Sequence, residues 1–298
     1  MRKILVIIYF GITLYSVTAQ SSLNTTQWER FPVAQNPAYA GYYEALSLGF
    51  LHRSQWTGID GGPTQNILEL QSPLKNPSAA IGINYLNESI NTVNRNRFMI
   101  SYAYRIIHGS NLLSFGLGLG ANLQSTDMLK IEDIEDPAFT ADKNSSFVPN
   151  ASVGLVYKTP VFHAGLSISE PFAYKAKEGS FELDFGGIMY KATAGGDLNL
   201  TSDIRLQPSA YLRMSTALFQ VAVEAKAAFK NMLIGGLGWR QEEAIYMLLG
   251  YNINNQFSAM YSYDYNIGAI GSYSKGSHEL SLIYRFGYTV NASSPIDF

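Results

Sequence analysis

Ile204-Arg205-Leu206-Gln207-Pro208-Ser209-Ala210-Tyr211-Leu212 decides the fold of this chain. Its even positions are apolar and its odd positions carry Arg, Gln, Ser and Tyr, which is the period of an extended strand with one greasy face and one wet face. The same period sets Val221, Val223, Ala225, Ala227 and Phe229 against Gln220, Glu224 and Lys226. It sets Phe257, Ala259, Tyr261, Tyr263 and Tyr265 against Gln256, Ser258, Ser262 and Asp264. The last run places Leu280, Leu282, Tyr284 and Phe286 against Glu279, Ser281 and Arg285. Read outward from these segments, alternation predicts fourteen strands, at 44–54, 64–74, 79–87, 97–107, 111–124, 149–157, 160–169, 188–199, 203–214, 218–228, 230–241, 243–253, 256–265 and 277–288.

The connections fall into two classes. Taking the first strand as running outward, the inner ones are tight: 75–78, 108–110, 158–159, 200–202, 229–230 and 254–255. The outer ones include 55–63, 88–96, 125–148, 170–187 and 266–276, with short exceptions near Ser215 and Gln241. An even strand number, tight turns on one side, longer loops on the other and aromatic-rich apolar faces predict an all-β fold, a transmembrane antiparallel outer-membrane β-barrel. A soluble sandwich or propeller also alternates, but its strands are usually nearer five or six residues than about ten. Lipid offers no hydrogen-bond partners, so a spanning sheet must close on itself.

Composition agrees. Only 15% of the 298 residues are charged and 47% are hydrophobic, with 20 Tyr and 16 Phe, against about 25% charged in ordinary soluble domains. The mean hydropathy is −0.01, which suits an apolar lipid face averaged with a wet lumen. A net charge of −2 leaves no basic footprint for nucleic acid. The absence of cysteine excludes disulfides, thiolate catalysis and zinc–cysteine sites.

Arg2 and Lys3 precede the apolar run Ile4–Tyr15, and Val17-Thr18-Ala19 has the small residues of a cleavage site, so residues 1–19 read as a signal peptide removed before Gln20. Residues 20–43 do not alternate; Trp28, Phe31, Pro32 and Pro37 lie there, and the segment fits either a lumen plug or a periplasmic contact. The barrel is expected over 44–288, with a tail at 289–298. An assembly signal at the end of the last strand falls on Phe286 by alternation rather than on the terminal Phe298.

No catalytic, metal or cofactor site is expected. His52, His108, His163 and His278 are scattered, and neither an HExxH nor a GxSxG motif occurs. Ser272 and Lys275 form an SxxK without its partner motifs. Glu132, Asp133, Glu135 and Asp136 read as a solvated acidic loop, lacking calcium-loop spacing. Gly116, Gly118 and Gly120 alternate along one strand and read as room made in a crowded lumen.

Two stretches are distinctive. One is Asn36-Pro37-Ala38-Tyr39-Ala40-Gly41; the other is Arg53-Ser54-Gln55-Trp56-Thr57-Gly58-Ile59-Asp60-Gly61-Gly62-Pro63. Arg53 shares the parity of Ser47 and Gly49 and should point into the lumen, with Trp56 near the rim, although the glycines and Pro63 also describe an ordinary tight loop. With Gly276-Ser277-His278-Glu279-Leu280, these stretches resemble the PorP/SprF family of outer-membrane proteins of the type IX secretion and gliding machinery of Bacteroidetes. Glu69 departs from the pattern: it faces the same way as Gln65, Ile67 and Gln71 and obscures the alternation of the second strand.

The resemblance implies a non-enzymatic barrel that either partners the carboxy-terminal signal domain of a secreted surface adhesin or links to the periplasmic secretion ring. Its motifs nominate Asn36, Pro37, Arg53, Gln55, Trp56, Asp60, Gly61, Pro63, His278 and Glu279 as partner-binding, lumen or plug residues. The expected partners are a secreted type IX substrate, other type IX components and the lipid bilayer, with no nucleic acid. The alternatives are a channel for small or hydrophobic solutes, suggested by lumen-facing Arg205, Arg213, Glu224, Lys226 and Arg285, and a soluble exported binding module.

Overall fold

The computed structural model describes residues 25–126, 145–175, 180–183 and 187–287. The leader, the acidic loop at 132–136 and the tail with Phe298 lie outside the described residues. Fourteen antiparallel strands form the wall: β1 Ser47–Ser54, β2 Thr64–Pro73, β3 Ala79–Ile90, β4 Val93–His108, β5 Asn111–Thr126, β6 Ser145–Lys158 and β7 Phe162–Ser169, then β8 Met189–Gly196, β9 Ile204–Met214, β10 Phe219–Phe229, β11 Leu233–Arg240, β12 Ala244–Asn252, β13 Phe257–Asn266 and β14 Ser277–Arg285. Each strand pairs with the next, and β1 pairs with β14 along its whole length, from Ser47 opposite Arg285 to Ser54 opposite His278. The sheet is therefore a closed barrel, which leaves no edge unsatisfied in lipid. A two-residue strand, Leu198–Asn199, extends the β8 ladder onto β9, and a small hairpin, Phe172–Lys175 with Ser180–Leu183, stands in the β7–β8 connection.

Along every strand the two faces differ as the period of two requires. On β11, Leu237 is 68% exposed and Arg240 only 2%. Inverted burial of this kind, apolar out and charged in, is what a lipid solvent selects. The face turned inward is nevertheless not uniformly wet. Ala228, Ile234, Tyr246, Leu248 and Met260 make an apolar cluster inside the barrel. Phe31, Leu51, Ile67 and Leu86 make another, which explains Ile67 on the inward face of β2. The alternation of β2 is regular after all: Gln65, Ile67, Glu69 and Gln71 point inward, and Glu69 accepts hydrogen bonds from the Ala34 amide at 2.9 Å and from Gln71 Nε2 at 3.0 Å.

The connection expected at 88–96 is corrected. Ile90 pairs with Val93, so β3 and β4 meet through Asn91 and Thr92 alone. The sequence hides this because the strands leave the apolar zone before they turn. There their outward positions are Asn87, Asn94 and Asn96, which hydrogen-bond one another at 2.7 to 3.2 Å. The end of the barrel that carries the 55–63, 170–188 and 267–276 connections is called the outer end here, by the usual asymmetry of such barrels.

Candidate functional site: the filled lumen and its outer rim

The segment from Thr25 to Tyr43 lies inside the barrel, and nearly all of it is buried. It is built from three short turns of helix, Trp28–Arg30, Pro32–Gln35 and Pro37–Tyr39. Pro32 and Pro37 each begin a turn, where a fixed φ is useful and a missing N–H costs nothing. The Asn36 side chain caps the third turn by accepting from the Ala38 amide at 2.9 Å. The same side chain donates to the Leu155 and Leu166 carbonyls of β6 and β7 at 3.2 and 3.0 Å.

Pro37 and Ala38 press on a wall from which side chains have been removed. A Cβ on Gly116 would stand 2.1 Å from the Ala38 amide nitrogen, and one on Gly154 would stand 1.9 Å from Asn36 Oδ1. Gly116 and Gly154 thus make room in the lumen for this segment, whereas a Cβ on Gly120 would meet the wall itself, 1.9 Å from the Phe98 carbonyl oxygen. Tyr39 then meets Thr193 Oγ1 at 2.8 Å, and the Tyr42 amide donates to Gln71 Oε1 at 2.9 Å. Burial raises the Tyr39 and Tyr42 phenols above their ordinary range, and pushes Tyr43 up to about 12 although Arg30 and Arg285 pull the other way. The Tyr43 hydroxyl donates to the Arg30 carbonyl at 2.9 Å. Ala40 packs in the buried cluster with Val33 and Tyr43, and Gly41 takes a φ of 74° where a Cβ would stand 2.6 Å from that of Ala80, so each residue of the Asn36–Gly41 stretch has a packing or hydrogen-bonding task.

Near the outer end, the segment is tied to the wall by charge. Arg53 is fully buried on β1, directly opposite Glu279 of β14. Its Nη1 donates to Glu279 Oε2 at 3.0 Å and to Thr26 Oγ1 at 3.1 Å, and its Nη2 donates to Asp264 Oδ2 at 2.8 Å. Arg240 Nη2 donates to the same Thr26 hydroxyl at 2.6 Å, and Arg240 Nη1 reaches Glu243 at 2.8 Å. The Thr26 hydroxyl in turn donates to Asp264 Oδ1 at 2.7 Å, so one small side chain is saturated by two arginines and a carboxylate. Glu279 also accepts the Thr26 and Gln27 amides at 3.0 and 2.7 Å.

Farther round, Glu224 of β10 accepts from Lys226 Nζ at 2.6 Å and from the Tyr246 hydroxyl at 3.1 Å. Lys226 also pairs with Glu29 of the segment. The Trp28 ring stacks on Tyr211 with centroids 5.2 Å apart. Arg213, Glu224 and Lys226 are buried and face inward; Arg205 lies 3.5 Å from Asp197, and Arg285 covers the Tyr43 ring at 4.8 Å.

The remaining motif residues form the rim. The Gln55 amide donates to the buried Pro63 across the loop at 2.8 Å. Half-buried Trp56 takes a positive φ of 55°, and its amide donates to Ser277 Oγ at 3.1 Å. Thr57 exchanges backbone hydrogen bonds of 2.8 Å with Lys275 and Gly276, while the Gly61 carbonyl accepts from Asn91 at 3.0 Å. The 55–63 loop is therefore pinned to two neighbouring connections. Asp60 and Gly61 stay exposed at its tip.

Asn36, Pro37, Arg53 and Glu279 converge on the plugged lumen, whereas Gln55, Trp56, Asp60, Gly61 and Pro63 make the rim. His278 joins neither group. It alternates to the outer surface, where the Tyr261 hydroxyl meets its Nδ1 at 2.6 Å. Sequence reasoning missed Thr26 and Arg240 and left Asp264 as one polar residue among others, since only the barrel's closure shows that they meet. Among the described residues no group of three or more His, Asp or Glu is placed to hold a metal.

No curated protein matches the chain by sequence. Among solved structures the chain is similar to the toluene transporter TbuX of Ralstonia pickettii, with a TM-score of 0.50, 9% identity, and coverage of 86% of this chain and 93% of that one. It is also similar to the toluene transporter TodX of P. putida, with a TM-score of 0.50, 11% identity, and coverage of 85% and 93%. At such identities the likeness concerns the fold, which is that of an outer-membrane barrel. The sequence model described as type IX secretion system membrane protein PorP/SprF matches residues 17–284, and the chain belongs to that family of outer-membrane proteins.

Proposed function

We propose that this barrel is a non-enzymatic partner and anchor for the carboxy-terminal signal domain of a secreted surface adhesin, held at its outer rim. The observation that carries this reading is the lumen itself. A segment occupies it, fixed by prolines against glycine-flattened strands and by buried ion pairs at its outer end. A barrel filled in this way suits a platform better than a conduit, and the 55–63 loop, braced against its neighbours, offers a fixed surface on that platform.

Linkage to the periplasmic secretion ring through the inner turns is the other role within the family. Affinity isolation of the tagged protein from outer membranes, followed by mass spectrometry, tests both. Recovery of a type IX substrate supports the adhesin-partner role, and recovery of ring components alone supports the link. Recovery of neither overturns the proposal. A solute channel is the competing reading, and stable single-channel currents through the intact chain in a planar bilayer would favour it.

A further inference from the structure

On the outward wall, one cross-strand row runs from His52 of β1 through Asn66, Asn87 and Asn96 of β2, β3 and β4 to Leu123 of β5 and Phe147 of β6. All six alternate away from the lumen. The first four are polar, whereas Leu123 and Phe147 are apolar and 50% and 52% exposed.

Rows climb in a barrel whose strands tilt. The one that begins at Ser47, the inner end of β1, passes Gln71, Gly82, Ser101, Gly118 and Ser152 and arrives at Ser169, the outer end of β7. Leu123 and Phe147 therefore lie farther from the inner end than His52 and Asn66, yet they are the apolar pair.

At the inner end the two sides agree. Leu48, Leu74 and Ile81 are exposed around β1–β3, and Tyr157 and Phe162 on β6 and β7. A tilted barrel would shift its inner boundary along with its outer one, so it is the height of the apolar belt that differs. From Tyr157 to Phe147 on β6 the belt rises about 25 Å, taking ~3.3 Å per residue and a tilt near ~40°, and a usual belt is about 25 Å tall. From Leu74, just past β2, to Leu68 it rises only about 15 Å by the same measure.

The polar stretch has the chemistry of a water–lipid boundary. His52 Nδ1 meets Asn66 Oδ1 at 2.8 Å, and Asn66 Nδ2 donates to Asn87 Oδ1 at 3.3 Å. From below, two tyrosines turn their hydroxyls toward the outer end: Tyr85 donates to Asn96 Oδ1 at 2.6 Å, and Tyr261 meets His278 Nδ1 at 2.6 Å. Rings in the apolar zone with hydroxyls in the polar one are the arrangement of interfacial tyrosines. Acyl chains offer such groups no hydrogen bonds, whereas headgroups and their water do.

We propose that the outer leaflet is thinned along one side of this barrel. Over β14 and β1–β4, lipid headgroups and water descend to the His52–Asn96 row, while acyl chains cover Leu123 and Phe147 on β5 and β6. Bilayers accommodate a short belt by thinning locally at modest cost. The depression borders the 55–63 loop and the β1–β14 seam, and it is independent of the partner role assigned to the rim.

The chain contains no cysteine, so single-cysteine variants take a bimane label at one place. Asn66→Cys, Leu70→Cys and Leu123→Cys, each labelled and shown to be folded by heat-modifiable migration, are reconstituted as the full chain in phosphatidylcholine vesicles. Acyl-brominated phosphatidylcholine quenches from the lipid, and iodide on both sides quenches from the water. Bromine quenching is expected at positions 70 and 123 and is lost at 66, where iodide quenches instead. Ser54→Cys, one strand away, should behave like position 66 and serves if Asn66→Cys does not fold. Bromine quenching at 66 or 54 equal to that at 123 would overturn the proposal, because acyl chains would then reach the polar row. Shielding from both quenchers in vesicles would overturn it in favour of a second copy of the chain, and shielding from iodide found only in native outer membranes would overturn it in favour of a partner protein.

Discussion

Replacing Arg53 by Met removes the positive charge at the centre of the outer latch while keeping an unbranched side chain of similar reach. Three hydrogen bonds go, at 3.0 Å to Glu279, 2.8 Å to Asp264 and 3.1 Å to Thr26. Breaking a buried ion pair by deleting one partner costs about 3–5 kcal/mol, because the survivor keeps its charge without compensation. Here the survivors retain some help: Glu279 still accepts two backbone amides, and Asp264 still lies 3.4 Å from Arg240. The lower end, about 3 kcal/mol, is therefore expected. Reversible urea unfolding in phosphatidylcholine vesicles, followed by tryptophan fluorescence, measures it, and Trp28 on the segment reports the lumen directly. Arg53→Met combined with Glu279→Met should cost less than the sum of the singles, by roughly 0.5–3 kcal/mol, as residues in direct contact usually do. A single loss below about 1 kcal/mol, or additivity within about 0.3 kcal/mol, would refute the view that this pair stabilises the closed barrel.

The glycine-flattened wall makes a steric prediction. Gly154→Val should expel or distort the segment, detected as new protease cleavage between Thr25 and Tyr43, while Gly235→Ala, whose Cβ would meet nothing within 4 Å, should change nothing. Tyr43 makes a pH prediction. Its phenol donates to the Arg30 carbonyl and is held up to about 12 in the folded chain, against about 10 when unfolded. The folded state thus binds this proton more tightly, so its contribution to stability is complete below pH about 10 and lost by about 12; Tyr43→Phe should remove that part of the alkaline slope in urea titrations. Deleting Thr25–Tyr43 should lower the yield of closed barrel, and the fraction that still closes should show stable planar-bilayer currents in place of poor conduction; unchanged conductance in that fraction would deny the segment its role as a plug.

How much of this was legible depends on the solvent each residue faces. Where both faces of a strand meet a constant environment, as along Ile204–Met214 or Phe219–Phe229, alternation in the sequence maps directly onto burial. It fades where strands pass into water, which is why Asn94 and Asn96 read as loop although they sit in β4. It is also disturbed where the lumen is filled. Ile67 packs on Phe31 and Glu69 binds the Ala34 amide, so the inward face of β2 mixes apolar and charged residues for reasons that lie on another segment. The inward direction of Arg53 follows from parity alone. Its partners do not, since Asp264 and Thr26 are separated by 238 positions and meet only through closure.

That separation bears on how the protein is assembled. The segment enters near the outer end, where Thr26 meets Arg53, and runs down the lumen to the inner end, where Tyr42 meets Gln71 opposite Ser47, the first residue of β1. Glu279 lies on the closing strand, pairs in register with Arg53, and binds the Thr26 and Gln27 amides across 253 and 252 positions. The residues that seal β1 to β14 are therefore the same ones that grip the segment. A barrel that closed without it would bury Asp264 and Glu279 with fewer donors, and one that held it without closing would leave two strand edges in lipid. Each condition penalises the half-finished state, so plugging and closure should be a single cooperative step. If so, protease resistance of the segment and heat-stable migration of the barrel on gels will develop with the same rate during refolding, and slow equally in Glu279→Gln; a folded barrel that acquires its resistance in a later phase would separate the two events.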